Sequence, residues 1–459
     1  MARSANQDLT QGKPLKLLAA FVVPMLIGNV VQQLYSMADS IIIGRFVGKG
    51  PFAAIGATMP VLNIMIVVII GFTVGISITT ARNVGAGNVE RVRDIVGTAF
   101  LVAATVSITL MFLGITFARP VLKLLHTPGD ILDDATLYLV CNFATCIGPI
   151  AYNMFSNILR SAGDSRSPLY ALIISSVLNV LLDLLFVLVF HWGVAGVAIA
   201  TGISQIISAI YGIYVLRAYN RQYWCRRKNI RVHKQIILEI LKYGMPVAAS
   251  NLFASLGSVF IQSVINGYGT TVVAGYTAAN KLDSLALSSV ISVGNACSTY
   301  AGQNSGAGKL DRIKEGVRSA WILGLVISLV FGVLLFFFGN FMVQLFISGE
   351  EKETIRVAAG FFKIVSPFYL IGCAMRIYMD TMRGMGEVVI PMAGSLTELA
   401  AKVIAAFLLS LAAGYETLWF AWPIGWVAAS ILLMIYYYGF LWKKWEGKGR
   451  NREKTIDNA

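Results

Sequence analysis

The strongest constraint on this chain is an internal repeat. Asn83-Val84-Gly85-Ala86-Gly87-Asn88-Val89-Glu90-Arg91-Val92-Arg93-Asp94 returns about 221 residues later as Asn304-Ser305-Gly306-Ala307-Gly308-Lys309-Leu310-Asp311-Arg312-Ile313-Lys314-Glu315. Both copies read Asn, then Gly-Ala-Gly, then acid, base, apolar, base, acid. Pro24 pairs with Pro246 in the same way, and the Arg160-to-Pro168 loop with the Arg383-to-Pro391 loop. The chain should therefore fold as two similar halves. In a membrane protein built from repeats, the working cavity is expected between them.

Composition puts the chain in a membrane. It is 57% hydrophobic and 13% charged, with a mean hydropathy of +0.71, where a soluble chain carries about 25% charged residues. Apolar segments nearly fill the 459 residues and leave no room for a separate soluble domain. They predict twelve helices, each of at least about 20 residues and so able to cross the hydrocarbon. Their expected limits are 15–43, 53–80, 95–118, 131–158, 168–190, 194–218, 238–265, 273–300, 317–346, 355–382, 389–412 and 418–442. Met1 to Lys13 is polar and leads into a full-length span, so no cleavable signal peptide is expected.

The expected fold class is an all-α integral membrane protein with twelve transmembrane helices in two six-helix lobes. Six is even, so both halves enter the membrane from one face and the lobes are related by a pseudo-two-fold axis along the membrane normal. The expected domains are an N-terminal lobe over 1–218, a basic linker over 219–237, a C-terminal lobe over 238–442 and a basic tail over 443–459.

The net charge of +14 falls mainly on alternate loops. One side carries Arg82, Arg91, Arg93, Arg160, Arg166, the stretch from Arg221 to Lys234, Lys309, Arg312, Lys314 and the tail from Lys443 to Lys454. The other carries little beyond Arg45, Lys49, Arg119, Lys123, Lys352 and Arg356. Basic loops stay in the cytoplasm, so both termini are expected there, in a multi-pass protein of a bacterial-type inner membrane. The same charges can meet anionic lipid head groups. They are not a nucleic-acid footprint, and the chain is expected to act as a monomer.

Several features read as structural. Cys141, Cys146, Cys225, Cys297 and Cys373 show no CxxC spacing and sit mostly in apolar segments, and His126, His191 and His233 are far apart. The Gly-Ala-Gly turns suit tight reversals after a helix. Pro24 and Pro246 are read as first-turn residues of helices 1 and 7, where a missing amide donor costs little. Trp419, Trp422, Trp426, Trp442 and Trp445 are read as core and lipid anchors of helix 12. Gly302 to Lys309 superficially resembles a phosphate loop, but its spacing is wrong and Leu310 stands where Ser or Thr would hold magnesium. No cofactor is expected beyond a coupling ion, H+ or Na+.

Acids inside spans are expensive and mark function. The first half has Asp39 in helix 1 and Asp183 in helix 5; the second has Asp283, Asp380 and Glu398. At a rise of 1.5 Å per residue, Asp39 lies roughly 8 Å below the outer edge, and Asp183, Thr201 and Tyr138 each about 10 Å deep. Asn179 sits one turn from Asp183 on the same helix face. Two carboxylates, an amide, a hydroxyl and a phenol thus share one layer. Such oxygens could bind sodium through Asp39, Asn179, Asp183 and Thr201, or the carboxylates could carry protons.

The chain resembles the multidrug and toxic compound extrusion (MATE) family over roughly residues 10–445. The likeness rests on Gln32-Gln33-Leu34-Tyr35-Ser36-Met37-Ala38-Asp39, the paired Gly-Ala-Gly turns and Arg160-Ser161-Ala162-Gly163-Asp164. In the DinF-like branch an acid of helix 1, an Asn and an Asp of helix 5, a helix 6 Thr and a helix 4 Tyr form the cation site. Asp39, Asn179, Asp183, Thr201 and Tyr138 match those positions, including the 18-residue step from Asp183 to Thr201. The resemblance implies drug/cation antiport through a V-shaped pair of bundles. The NorM-like branch uses acids in helices 7 and 10, where this chain has Ala254 and Gly372. Asp380 is expected to pair with Arg376 and Glu398 with Lys402, the repeat counterpart of Asn179.

The expected function is therefore secondary active export of lipophilic, often cationic compounds, driven by H+ or Na+ in the N-terminal lobe, with no enzymatic activity. Gln32, Gln33, Asn153, Met154, Asn157, Asn280 and Met375 are candidate walls of the substrate cavity. A lipid-linked oligosaccharide flippase is the first rival, but intramembrane bases are few: Lys281, Lys363, Arg376 and Lys402. A membrane-embedded enzyme is the second, with no metal cluster or nucleophile–base arrangement to support it.

Overall fold

The computed structural model describes residues 7–344 and 351–446, and among these there is no β-strand. In chain order the helices are α1 (Pro14–Ile42), α2 (Lys49–Gly85), α3 (Val89–Leu124), α4 (Leu132–Ala144), α5 (Ile147–Ser161), α6 (Arg166–Leu184), α7 (Gly193–Ala218), α8 (Lys234–Asn266), α9 (Thr270–Gly306), α10 (Leu310–Val343), α11 (Lys352–Val365), α12 (Tyr369–Gly384), α13 (Val389–Ala413), α14 (Tyr415–Leu418) and α15 (Ala421–Tyr436). π-helical turns extend α1, α6 and α15 over Ile43–Val47, Leu185–Val189 and Tyr437–Leu441.

Among the described residues, ten helices are long and apolar enough to cross a membrane, and the pair α4 and α5, bent by 45°, makes an eleventh span. The twelfth is α9, whose polar residues, Lys281 and Asp283 among them, lower its hydropathy; the repeat identifies it. α2 and α9 are both 37 residues long, and their limits differ by 221 at each end. The turns that follow are built alike. Gly87 and Gly308 have φ of 68° and 72°, the left-handed conformation glycine adopts without a Cβ penalty. The amide of Asn88 then donates to the Asn83 carbonyl at 3.0 Å, and that of Lys309 to the Asn304 carbonyl at 2.8 Å. These wide bonds satisfy helix-end carbonyls. The copies differ in that Asn88 caps α3 by accepting from the Arg91 amide, which Lys309 cannot do for α10.

Pro24 and Pro246 are not first-turn residues. α1 begins at Pro14 and α8 at Lys234, so both prolines lie well inside their helices. The expected limits, 15–43 and 238–265, already set both prolines more than two turns inside, so the first-turn reading did not follow from them. Inside a helix a proline removes one amide donor and crowds the carbonyl four residues back.

Contacts divide the chain into two compact units, one built on Val23–Ala248 and the other on Leu9–Val22 with the chain from Ala249 on. In the first unit, α8 crosses α2 at almost backbone contact: a Cβ on Gly75 would lie 2.3 Å from the Ile240 carbonyl oxygen, and one on Gly244 2.3 Å from that of Gly71. Small residues four apart permit such an approach between membrane helices. The basic stretch after α7 packs onto α3 rather than looping free. Asn229 donates to Asp94 at 2.7 Å, Arg93 to the Gln222 carbonyl at 2.8 Å, and Lys228 to Glu90 at 2.7 Å. In the second unit, Trp419, Trp422 and Trp426 are buried, with Tyr276 and Phe361 among the first two rings. They are core residues rather than lipid anchors. The tail bases Lys448, Arg450, Arg452 and Lys454 lie outside the described residues, as does the predicted end of helix 9 at 346.

Candidate functional site

Three helices of the first unit bring the expected polar residues together. Asp39 lies three residues before the end of α1, Asn179 and Asp183 lie one turn apart on α6, and Thr201 lies on α7. Asn179 and Asp183 are completely buried. Asn179 Nδ2 donates to Thr201 Oγ1 at 3.2 Å, and the Tyr35 hydroxyl donates to the same oxygen at 3.4 Å. The carboxyls of Asp39 and Asp183 lie close enough to interact electrostatically with each other and with the Tyr35 phenol. Tyr138, on α4, is near enough to interact electrostatically with both carboxylates.

Four buried oxygens of this cluster have no hydrogen-bond donor: Asp39 Oδ1, Asn179 Oδ1, and both carboxylate oxygens of Asp183. Buried acceptors are nearly always paired, and two carboxylates cannot satisfy each other, since neither has a proton to give. The arrangement calls for a donor or a cation among the oxygens. A proton or a small hard cation both fit this donor set, because carboxylate, amide and hydroxyl oxygens are hard ligands.

One turn along each helix the surroundings become apolar. Ile43 follows Asp39 by four residues, Val187 follows Asp183 by four, and Val197 precedes Thr201 by four. α6 and α7 run in opposite directions, so these residues fall on the same side of the cluster. With Ile42, Ile55 and Val194 they form a buried apolar group against which Tyr138 packs. The π-helical turns of α1 and α6 begin here, directly beyond the two acids. Such turns are rare and recur at functional sites.

The MatE family model matches residues 24–185 and 246–408, one copy in each half. The chain belongs to this family. It is 30% identical to the probable multidrug resistance protein YoeA of Bacillus subtilis, over 93% of this chain and 94% of that protein. It is 25% identical to the probable multidrug resistance protein NorM of Thermotoga maritima, over 96% of each. Its fold matches an outward-facing multidrug resistance MATE family transporter of the MOP superfamily with a TM-score of 0.88, at 22% identity, over 95% of this chain and 98% of that one. As a MatE protein it is a multi-pass membrane transporter and not an enzyme, and its twelve spans are the family's two sets of six.

Tyr35 was not singled out in the sequence, although it lies one turn before Asp39 on the same helix face, a spacing that puts two side chains together. Of the candidate cavity residues, Gln32 and Asn280 are exposed, and Gln33, Asn153 and Asn157 half-buried. Met154 belongs to the hydrophobic core of the first unit and Met375 is buried.

The second unit is polar in a different way. Arg376 meets Asp380 at 3.4 Å and Lys402 meets Glu398 at 3.2 Å, as expected from their spacings. Arg383, counted as a loop residue in the sequence, is buried and holds Asp380 at 2.9 Å. It must be added to the intramembrane bases. α12 simply runs on past the predicted end of helix 10. Asp283 accepts from the Tyr369 hydroxyl at 2.6 Å.

Proposed function

We propose that this MatE protein is a secondary active exporter of lipophilic, often cationic drug-like compounds, driven by H+ or Na+ taken up at Asp39, Asn179, Asp183, Thr201 and Tyr138. The observation that carries the reading is the set of donorless buried oxygens on Asp39, Asn179 and Asp183. Leaving such groups unpaired costs about 1–3 kcal/mol each, which a bound ion offsets and which packing alone gives no reason to retain. The names of the relatives from Bacillus subtilis and Thermotoga maritima support multidrug resistance as the physiological setting.

Asp39 and Asp183 would carry the ion, Asn179 and Thr201 would ligate or orient it, and Tyr138 would close the shell. Sodium would use Asp39, Asn179, Asp183 and Thr201. The ion drives transport only by favouring one arrangement of α1, α6 and α7 over another, in proportion to its differential affinity for the two. Gln32, Gln33, Asn153, Asn157 and Asn280 are proposed cargo contacts. The protein would act as a monomer in the bacterial inner membrane with both termini in the cytoplasm, as the distribution of Lys and Arg between alternate loops supports. The two lobes are proposed as 1–218 and 238–442, joined by the basic linker.

Ethidium efflux from proteoliposomes under separately imposed proton and sodium gradients tests this reading. Wild-type protein should respond to one of the two gradients. Asp183→Asn should reconstitute equally well and lose the response. Gradient-driven efflux by Asp183→Asn at the wild-type rate would exclude the assignment.

A further inference from the structure

The second unit contains a charged cavity that the ion site does not use. A space of about 140 Å³ is bounded by Ser250, Asn251 and Ser258 of α8, Arg376 and Arg383 of α12, and Glu398 and Lys402 of α13. Arg376, Arg383 and Lys402 stand against Asp380 and Glu398, and Lys402 also feels the carboxylate of Asp283 next door. Asp283 lines an adjoining chamber of about 210 Å³ that shares Ser258, Glu398 and Lys402 with the first. It is hydrogen-bonded by Tyr369 there.

The guanidinium groups have donors to spare. Arg376 touches Asp380 Oδ2 at 3.4 Å without hydrogen-bond geometry, and its one further contact of this kind is the Met379 thioether at 3.9 Å. Arg383 donates through Nη1 to Asp380 Oδ1 at 2.9 Å. The Nε of each arginine is buried with no acceptor, although Arg383 is only 6% exposed. Spare planar donors beside hydroxyl and amide groups are the chemistry that recognises an oxyanion, by paired N–H···O bonds.

The repeat argues that the fold does not need these charges. Arg160 and Pro168 correspond to Arg383 and Pro391, a step of 223 residues. At that step Arg376, Asp380, Glu398 and Lys402 correspond to Asn153, Asn157, Ser175 and Asn179. The first unit thus builds the same helices with neutral side chains at all four positions. Asp380 is buried and Arg376, Glu398 and Lys402 are half-buried; charges held out of water carry a desolvation cost that pairing must repay, so their presence where neutral groups suffice points to a ligand.

We propose that the cavity between α8, α12 and α13 binds the oxyanion group, carboxylate or phosphate, of an amphiphilic compound, with Arg376 as its principal contact and Arg383 and Lys402 supplying the field. The site stands independently of the ion site in the first unit. Benzoate and benzyl alcohol serve as charged and neutral probes of one shape, and phosphatidylglycerol against phosphatidylcholine nanodiscs separate a lipid phosphate from a free carboxylate. Benzoate should raise the unfolding temperature of the wild-type protein where benzyl alcohol does not, a comparison that needs no variant. Arg376→Met should weaken benzoate binding at least tenfold by calorimetry, with Asp380 still held by Arg383, and Arg376→Lys should recover part of the loss. Asp183→Asn should bind benzoate like wild type even where ion-driven efflux is gone. Stabilisation by phosphatidylglycerol alone, lost in Arg376→Met, would support the same site with lipid as its occupant. Equal responses to benzoate and benzyl alcohol with no preference for phosphatidylglycerol, or binding unchanged in Arg376→Met, would overturn the proposal.

Discussion

Replacing Thr201 with valine keeps the shape of the side chain and removes the one oxygen on which two donors converge. Asn179 Nδ2 at 3.2 Å and the Tyr35 hydroxyl at 3.4 Å both lose their acceptor. The two losses are unequal. Tyr35 is half-buried and lies near the Asp39 carboxylate, whereas Asn179 is completely buried. One stranded amide in a water-free core costs about 1–3 kcal/mol. In a membrane the unfolded reference state finds partners too, and interhelical hydrogen bonds there average about 0.6 kcal/mol with a maximum near 1.7. The expected coupling between Thr201→Val and Asn179→Ala is therefore about 1 kcal/mol in a double-mutant cycle measured by reversible unfolding in mixed micelles. Thr201→Ser retains the oxygen and should show almost none. If the hydroxyl also ligates the ion, the same energy weakens apparent ion affinity about fivefold, since 1.4 kcal/mol is tenfold. Half-saturation of gradient-driven ethidium efflux reads that shift. A coupling near zero with unchanged half-saturation in Thr201→Val would show that the oxygen is not the shared acceptor.

Two further outcomes follow from packing. Val187→Ser puts a hydroxyl into the apolar group beside the ion cluster and should let an imposed ion gradient decay faster in substrate-free proteoliposomes than Val187→Ile does; equal decay would mean that the apolar group is no seal. Gly114→Ala would press a methyl to within 2.0 Å of the Phe143 ring, an overpacking cost of about 1–3 kcal/mol, seen as a lower melting temperature and relieved by Phe143→Leu; a melting temperature that Phe143→Leu leaves unrestored would refute that contact as the cause.

The sequence was most legible where a short-range rule applied twice. The Gly-Ala-Gly turns marked the reversals after α2 and α9, and the Asp39, Asn179, Asp183 and Thr201 set was readable because rise per residue converts sequence position into depth. Asp380 with Arg376 and Glu398 with Lys402 were readable because residues four apart on a helix are neighbours. Errors fell at helix ends. Pro24 and Pro246 were read as first-turn residues although the expected starts at 15 and 238 set them more than two turns inside, and Arg383 was put in a loop.

Length, hydropathy and repetition by themselves determined an all-helical chain of two six-span halves, because these properties depend only on residues near one another in sequence. Tertiary structure alone decided that Tyr35 shares an acceptor with Asn179, that four oxygens around Asp39 and Asp183 are left without donors, and that three basic side chains of α12 and α13 surround one cavity. Those facts depend on the rotation of each helix about its axis, which the packing of its neighbours sets and no local pattern encodes.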